Sequence, residues 1–183
     1  MTPPREPADD AGRSGAAPAI GVIVRPAAPE DLPRVWELLQ ELARYEKLEH
    51  VVTNTLEGLG AQLFEDSWPR VECLVAERAR EIVGYAIFFG CWSSFRGAPV
   101  LWLEDLHVTE SRRGTGAGHA LFAAVARVAL ERGCTRMDWD VLDWNEPAIH
   151  FYERHGARRP DVEWTTYSLD RGGLEAMGRA SAP

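Results

Sequence analysis

One short segment of the chain carries glycines at a spacing that suits a bound anion. The residues after a predicted strand at 101–108 include three glycines at alternate positions, in the order Arg113, Gly114, Thr115, Gly116, Ala117, Gly118 and His119. Glycine lets backbone N–H groups converge without a Cβ in the way, and a helix N-terminus adds the positive end of its dipole. The segment therefore predicts a pyrophosphate site, with the Arg113 guanidinium as an additional donor. A tight strand–helix turn without a ligand is an equally common outcome for such glycines.

Two familiar pyrophosphate sites are excluded by the residues themselves. A nucleotide-triphosphate loop needs Lys and then Ser or Thr after its last glycine, whereas His119 follows Gly118 here. The dinucleotide fingerprint has the spacing G-x-G-x-x-G, and these glycines lie two residues apart. The predicted ligand is therefore a pyrophosphate of another kind.

A carboxylate on the preceding strand is the candidate for proton transfer. Strand parity places Glu104 on one face with Trp102, Leu106 and Val108, which are apolar. A carboxylate in such a place can take a proton from an ammonium group. The alternative is a strand-end carboxylate in solvent, and the pattern alone favours that alternative.

The elements that position these residues follow from hydrophobic periodicity and turn residues. Strands are predicted at residues 21–25, 71–77, 81–90, 100–108, 135–142 and 164–169. A first helix is predicted to begin near Asp31, and three further helices are predicted at about 56–65, 118–132 and 145–156. The order predicts an α/β fold of mixed α+β type, with a central mixed sheet of six to seven strands flanked by about four helices.

Length and charge limit the class of protein. The chain has 183 residues, with 20 Lys and Arg against 28 Asp and Glu, a net charge of −8. This charge argues against binding to nucleic acid or to an anionic membrane. Residues 1–18 are expected to form a disordered tail, residues 19–179 one domain, and residues 180–183 a C-terminal tail.

Cysteine usage indicates the compartment. Cys73, Cys91 and Cys134 are few and unclustered, which argues against a disulfide framework and against a four-cysteine zinc site. The chain has no apolar run as long as the roughly 18 residues of a spanning helix. We expect a cytoplasmic protein without a metal ion.

The segment Arg113-x-x-Gly116-x-Gly118 resembles the acyl-CoA-binding motif of the GNAT superfamily of N-acetyltransferases. The resemblance extends over most of residues 22–178, in the family's element order. It includes Leu103-Glu104-Asp105, Trp144-Asn145-Glu146-Pro147 and Phe151-Tyr152. The chain looks like the diamine acetyltransferase branch, which contains polyamine and thialysine acetyltransferases.

The resemblance implies acetyl-CoA as the acetyl donor and a role for each matching residue. The backbone of Leu106, His107 and Val108 would pair with the pantetheine and polarise the thioester, while residues 113–119 hold the pyrophosphate. Asn145 would contact the cofactor and Tyr152 would protonate the leaving thiolate. From the residues alone, Asn145 is a helix cap and Tyr152 one more packed aromatic.

The resemblance also implies which groups bind the amine. Glu104 would bind the substrate and relay its proton, and Tyr45 and Glu46 would face the cationic group. An aromatic face beside a carboxylate suits an ammonium ion, although a solvated helix end is as common for such a pair.

One loop departs from the polyamine enzymes. At residues 92–97, serine replaces their acidic residue and Arg96 adds a positive charge. The pattern looks nearer to the thialysine acetyltransferases, and we expect a lysine-like or thialysine-like amine. The alternatives are a protein N-terminus or lysine as acceptor, or a non-catalytic acyl-CoA-binding regulatory module. The resemblance further implies a homodimer.

Overall fold

The computed structural model describes residues 21–65, 68–160 and 165–180. The predicted tail at 1–18 lies outside the described residues, as do residues 181–183. In the described ranges the strands are Ile23–Pro26 (β1), Glu72–Arg78 (β2), Glu81–Ser93 (β3), Ala98–Val108 (β4) and Met137–Asp138 (β5). The α-helices are Leu32–Glu46 (α1), Leu56–Phe64 (α2), Ala117–Glu131 (α3), Glu146–Arg154 (α4) and Arg171–Ala180 (α5).

The described residues form two compact units, one that ends at residue 140 and one that begins at residue 141. The first unit holds one sheet in the order β1-β2-β3-β4-β5, whose first three pairings are antiparallel and whose last is parallel. The second unit holds α4 and α5. The predicted mixed sheet with hairpins in its first half is therefore confirmed.

The helices of the first unit cover both faces of the sheet. A buried cluster joins α1 and α2 to β2 and β3 through Val35, Leu38, Leu59, Cys73, Val75, Tyr85 and Ile87. Helix α3 packs against β2, β3 and β4 with an apolar stripe that includes Leu121 and Val125, both fully buried. Burying two faces in this way fixes the strand register, because a slip of one residue would exchange the core and solvent faces.

Turn residues set the ends of the elements. The hairpin between β2 and β3 turns through Ala79 and Arg80, whose φ angles of 52° and 67° suit the tight turn of a right-twisted hairpin. Asn145 accepts a hydrogen bond from the Ala148 N–H at 3.3 Å and caps α4, which confirms its prediction as a cap. Gly133, with φ of 69°, ends α3 as predicted.

Three details differ from the sequence prediction. The sheet has five strands rather than six or seven, and the described ranges contain five α-helices rather than four. The predicted strand 135–142 is reduced to the two residues of β5, because its pairing with β4 stops at Trp102. Residues 165–169 of the predicted last strand are exposed and not extended in a ladder, while Trp164 lies outside the described residues. A strand that buries neither face lacks the packing that stabilises it.

The cysteines are free thiols, with Cys73 buried, Cys91 exposed and Cys134 partly buried. No helix in the described ranges combines the length and the apolar character needed to cross a bilayer.

Candidate active site

The glycine turn has the backbone that its sequence requires. After β4 a short 3₁₀ turn, Glu110–Arg112, leads to Gly114 and Gly116, whose φ angles are 73° and 89°. These angles lie in the left-handed region, where a side chain is strained. A Cβ at either glycine would meet no atom within 4 Å, so the space above the turn is open. Glycine is needed at both positions for conformation rather than for lack of room.

The turn places backbone amides at the start of α3. The first bond of the helix runs from the Ala120 N–H to the Gly116 carbonyl at 2.9 Å. The N–H groups of residues 117–119 therefore have no acceptor within the helix. The Thr115 hydroxyl donates to the Arg112 carbonyl at 2.7 Å, which fixes the turn beneath them. The open space, the helix dipole and the amides at the helix N-terminus together suit an anion such as a pyrophosphate.

Arg113 makes two contacts that restrain its exposed side chain. Its Nε donates to the Val108 carbonyl at 3.3 Å, which links the turn to the end of β4. Its guanidinium carbon lies 4.5 Å from the centre of the Tyr45 ring, at the C-terminal end of α1. Tyr45, predicted to face the amine, thus faces an arginine of the glycine turn.

A β-bulge sits at Glu104. Asp105 pairs with Ile87 and Leu103 pairs with Phe88, so Glu104 is the extra residue opposite that step. Paired residues share a face of the sheet, and Trp102 pairs with Phe89 whereas Leu106 pairs with Ala86. Trp102 therefore lies on the opposite face from Leu106 and Val108. The sequence-based placement of Glu104 on one face with all three is wrong, because the bulge reverses the parity.

Glu104 is exposed and forms part of an acidic cluster. The Trp102 Nε1 donates to its carboxylate at 2.8 Å. The charges of Glu104 and Glu46 both act on the Asp105 carboxyl, so each of the two lies within electrostatic range of Asp105. Burial raises the pKa of Glu46. This cluster of negative charge is a suitable environment for a cationic amine.

Asp105 is the most perturbed member of the cluster. The pKa of its carboxyl is raised from 3.8 to about 6, mainly because the group is removed from water, and the neighbouring charges of Glu104 and Glu46 act in the same direction. The Tyr85 hydroxyl donates to it at 3.1 Å and acts in the opposite direction. A carboxyl that titrates near pH 6 can exchange protons at the pH of the cell.

Because the folded pKa of Asp105 is raised, the folded chain binds more protons than the unfolded chain between about pH 4 and pH 6, and stability falls as pH rises through this window. Asp105→Asn removes this titration. Between pH 4 and pH 7 the free energy of unfolding of the wild type should fall by about 2 kcal/mol relative to the variant. Urea unfolding at several pH values measures this difference, with Glu57→Gln on α2 as control. A difference that stays constant with pH would contradict the raised pKa.

The edge of β4 beyond the bulge is open. The parallel pairing with β5 covers only Leu101 with Met137 and Trp102 with Asp138. In the described ranges, residues 103–108 therefore have a ladder partner on β3 alone. An open edge of this kind can pair with an extended ligand, as an added strand would.

The close approach of β3 and β4 at this end depends on Gly84. A Cβ there would lie 2.6 Å from the His107 carbonyl oxygen and 2.9 Å from Val108 Cγ2. His107 itself is 5% exposed, and its Nε2 lies 3.4 Å from a Glu41 carboxylate oxygen on α1. Burial lowers the pKa of His107, although the hydrogen bond to Glu41 acts to raise it. His107 thus joins α1 to β4 and does not face solvent as a catalytic base.

Two candidate residues lie in the second unit, one at the N-terminus of α4 and one within it. Asn145 is 6% exposed and caps α4, and Tyr152 is partly buried on the same helix. The Tyr152 ring meets the Phe151 ring edge-on, with centroids 5.3 Å apart.

Sequence reasoning missed Asp105, Glu41 and Gly84. The only signal for Asp105 was an acid next to Glu104 within an apolar strand. Glu41 looks like a solvated residue of α1, and nothing in the pattern shows that it reaches His107. In the described part of the chain, no group of three or more His, Cys, Asp and Glu side chains could hold a metal ion.

Comparison with known proteins extends this picture. Residues 32–157 match the Acetyltransferase (GNAT) family. The thialysine N-epsilon-acetyltransferase of Bos taurus is 36% identical over 145 residues, covering 75% of this chain and 84% of the relative. An L-ornithine N5-acetyltransferase of Arabidopsis thaliana is 28% identical over 200 residues, covering 85% and 87%.

A solved structure shows the same fold. An integron cassette protein from the mobile metagenome of V. cholerae superposes with a TM-score of 0.69 at 24% identity, covering 86% of this chain and 98% of that one. The family match spans more than half of the sequence, and the amine acetyltransferases match most of it. The chain therefore belongs to the GNAT family of acetyltransferases and is an acetyl-CoA-dependent N-acetyltransferase.

Proposed function

We propose that this enzyme acetylates the terminal primary amine of a small cationic amino acid such as thialysine or lysine. The observation that carries the proposal is an acidic cluster: Glu104 and Asp105 lie at the bulge of β4, the strand that leads into the glycine turn, and Glu46 at the end of α1 acts on Asp105 by its charge. Two relatives, a thialysine and an L-ornithine acetyltransferase, support an amino acid with a terminal amine as the substrate.

Acetyl-CoA supplies the acetyl group as an activated thioester. The amides of residues 114–119 and the Arg113 guanidinium would hold its pyrophosphate, because that turn places backbone N–H groups at a helix N-terminus beside open space. The open edge of β4 at Leu106, His107 and Val108 would pair with the pantetheine, and one N–H there would polarise the thioester oxygen. Asn145 is proposed as a further contact to the cofactor, on the basis of the resemblance.

The amine needs a base before it can attack. An alkylammonium has a pKa near ~10.4, so fewer than roughly one amine in a thousand is neutral at pH 7. Glu104 takes the proton, and the neutral nitrogen then attacks the thioester carbonyl carbon. A C–N bond forms and the C–S bond breaks. The acetylated nitrogen then loses its extra proton to solvent water. The departing thiolate needs a proton, and the group that supplies this proton is reprotonated from solvent. Asp105 and Glu46 stabilise the cation before this step by their charge.

Tyr152 is proposed to give that proton to the thiolate. Tyr152→Phe keeps the ring and removes the hydroxyl, so kcat should fall about 10- to 100-fold while the Kd for acetyl-CoA is unchanged. Steady-state kinetics and calorimetry measure the two quantities. Tyr167→Phe, an exposed tyrosine in the same unit, serves as control. Full turnover by Tyr152→Phe would show that the side chain only packs against its neighbours.

The hairpin between β3 and β4 supports a short amine over a polyamine. Phe95 at its tip is 92% exposed; serine stands in this loop where the resemblance gives the polyamine enzymes an acid, and Arg96 adds a positive charge. A second ammonium group, as in spermidine, would be repelled by this charge rather than attracted.

A panel of amines tests the proposed substrate class. Thialysine, lysine, ornithine, spermidine and spermine are compared with acetyl-CoA, with release of free CoA as the readout. We expect kcat/KM for thialysine or lysine to exceed that for spermine at least tenfold. A much higher kcat/KM for spermine than for thialysine would overturn the assignment. If the charge of Arg96 causes the preference, Arg96→Ser should reduce the difference in kcat/KM between thialysine and spermine. A homodimer stays a prediction of the resemblance, and a cytoplasmic location stays a prediction of the cysteine usage.

A further inference from the structure

The stacking of Arg113 on Tyr45 connects two parts of the site that the resemblance keeps separate. Tyr45 lies in the last turn of α1, where the resemblance assigns it to the amine. Arg113 belongs to the glycine turn, where the resemblance assigns it to the cofactor. The guanidinium carbon nevertheless lies 4.5 Å from the centre of the Tyr45 ring, within the range of a cation–π contact.

We propose that Tyr45 acts on the cofactor side of the reaction, as a positioning residue that holds the Arg113 guanidinium ready for the pyrophosphate. This inference rests on the proposed function, since it takes acetyl-CoA to bind at the glycine turn. It assigns recognition of the amine to the carboxyls of Glu46, Glu104 and Asp105 rather than to the aromatic ring.

The two contacts of Arg113 explain why a positioning residue is useful. The side chain is exposed, and an exposed arginine loses rotamer freedom when it binds an anion. Its Nε is already held by the Val108 carbonyl, and the Tyr45 ring supports the plane of the guanidinium. Part of the ordering is therefore complete before the anion arrives. In the described part of the chain no hydrogen bond engages the terminal Nη groups, which leaves them available to phosphate oxygens.

The same contact argues against an ammonium ion on this face of the ring. A substrate cation there would lie beside a guanidinium, and like charges at such a distance repel. The carboxyl cluster has no such conflict, because its charges are all negative. Charge alone thus separates a cationic end of the site, near Arg113, from an anionic end at the bulge.

A double-mutant cycle on CoA binding tests the proposal. Calorimetry gives the Kd of CoA for the wild type, Tyr45→Leu, Arg113→Gln and the double variant, and kinetics at saturating acetyl-CoA give the KM of the amine. We expect Tyr45→Leu to raise the Kd of CoA about two- to fivefold, the size of an exposed cation–π contact, with the amine KM unchanged. The same change made in the Arg113→Gln background should have no further effect. Tyr45→Phe should restore wild-type affinity because it keeps the ring, and Tyr167→Leu is the matched control.

Each result decides one question. If Tyr45→Leu raises the KM of the amine and leaves the Kd of CoA unchanged, Tyr45 contacts the amine and the proposal is wrong. The proposal is also wrong if the changes that Tyr45→Leu and Arg113→Gln cause in the free energy of CoA binding are additive in the double variant. If Tyr45→Leu melts far below the wild type, Tyr45→Met replaces it in the cycle. A wild-type chain that binds no CoA would instead refute the proposed function itself, which the wild-type titration reveals before any variant is compared.

Discussion

Gly116→Val is expected to weaken acetyl-CoA binding by about 10- to 100-fold. Gly116 has a φ of 89° and begins α3, and valine is strongly disfavoured in that conformation. The turn must then change shape, and one charge-assisted hydrogen bond from an amide to a phosphate is lost, which accounts for a change of that size. The Kd measured by calorimetry with CoA checks the prediction.

The chain offers a matched control for backbone strain at the other end of the same helix. Gly133 has a φ of 69°, and a Cβ there also meets nothing within 4 Å. Gly133→Val should therefore lower the melting temperature about as much as Gly116→Val while leaving the Kd of CoA unchanged. Equal losses of affinity in both variants would mean that general strain, not the glycine turn, is responsible.

Glu104→Gln should lower kcat/KM for the amine about 100-fold at pH 7.5, with the Kd of acetyl-CoA unchanged. The variant keeps the shape of the side chain and its contact with Trp102 but cannot accept the proton. General base catalysis is typically worth a factor of this order or more.

The pH dependence distinguishes a base from a simple negative charge. Near pH 9.5 about a tenth of the amine is neutral without help, so the loss caused by Glu104→Gln should become much smaller there. The kcat/KM of both enzymes between pH 6.5 and 9.5 tests this, with Glu131→Gln at the far end of α3 as control. A loss that is the same at every pH would assign Glu104 to charge binding only.

The helices were predictable because their ends carry capping residues. Asn145 before Pro147 sets the start of α4, and Gly133 sets the end of α3, each within a residue or two of the prediction. The glycine turn was predictable for the same reason, since the positive φ angles at Gly114 and Gly116 are a local property of the sequence.

The site around β4 was less predictable because it depends on pairing between strands. The bulge at Glu104 is a mismatch of register with β3, and alternation along a single strand gives no sign of it. The burial of Asp105 and the contact between Glu41 and His107 join elements far apart in sequence. The short β5 likewise reflects where its partner stops pairing, whereas the prediction rested on its own alternating residues.

We propose that the glycine turn binds the diphosphate of the acetyl donor beside an open strand edge. Backbone amide chemical shifts of the ¹⁵N-labelled chain, recorded during titration with CoA, test it most directly. We expect the largest chemical-shift changes at residues 113–119, followed by residues 106–108, with little change at Gly133. Largest shifts around Arg132 and Gly133, with the turn unaffected, would contradict it.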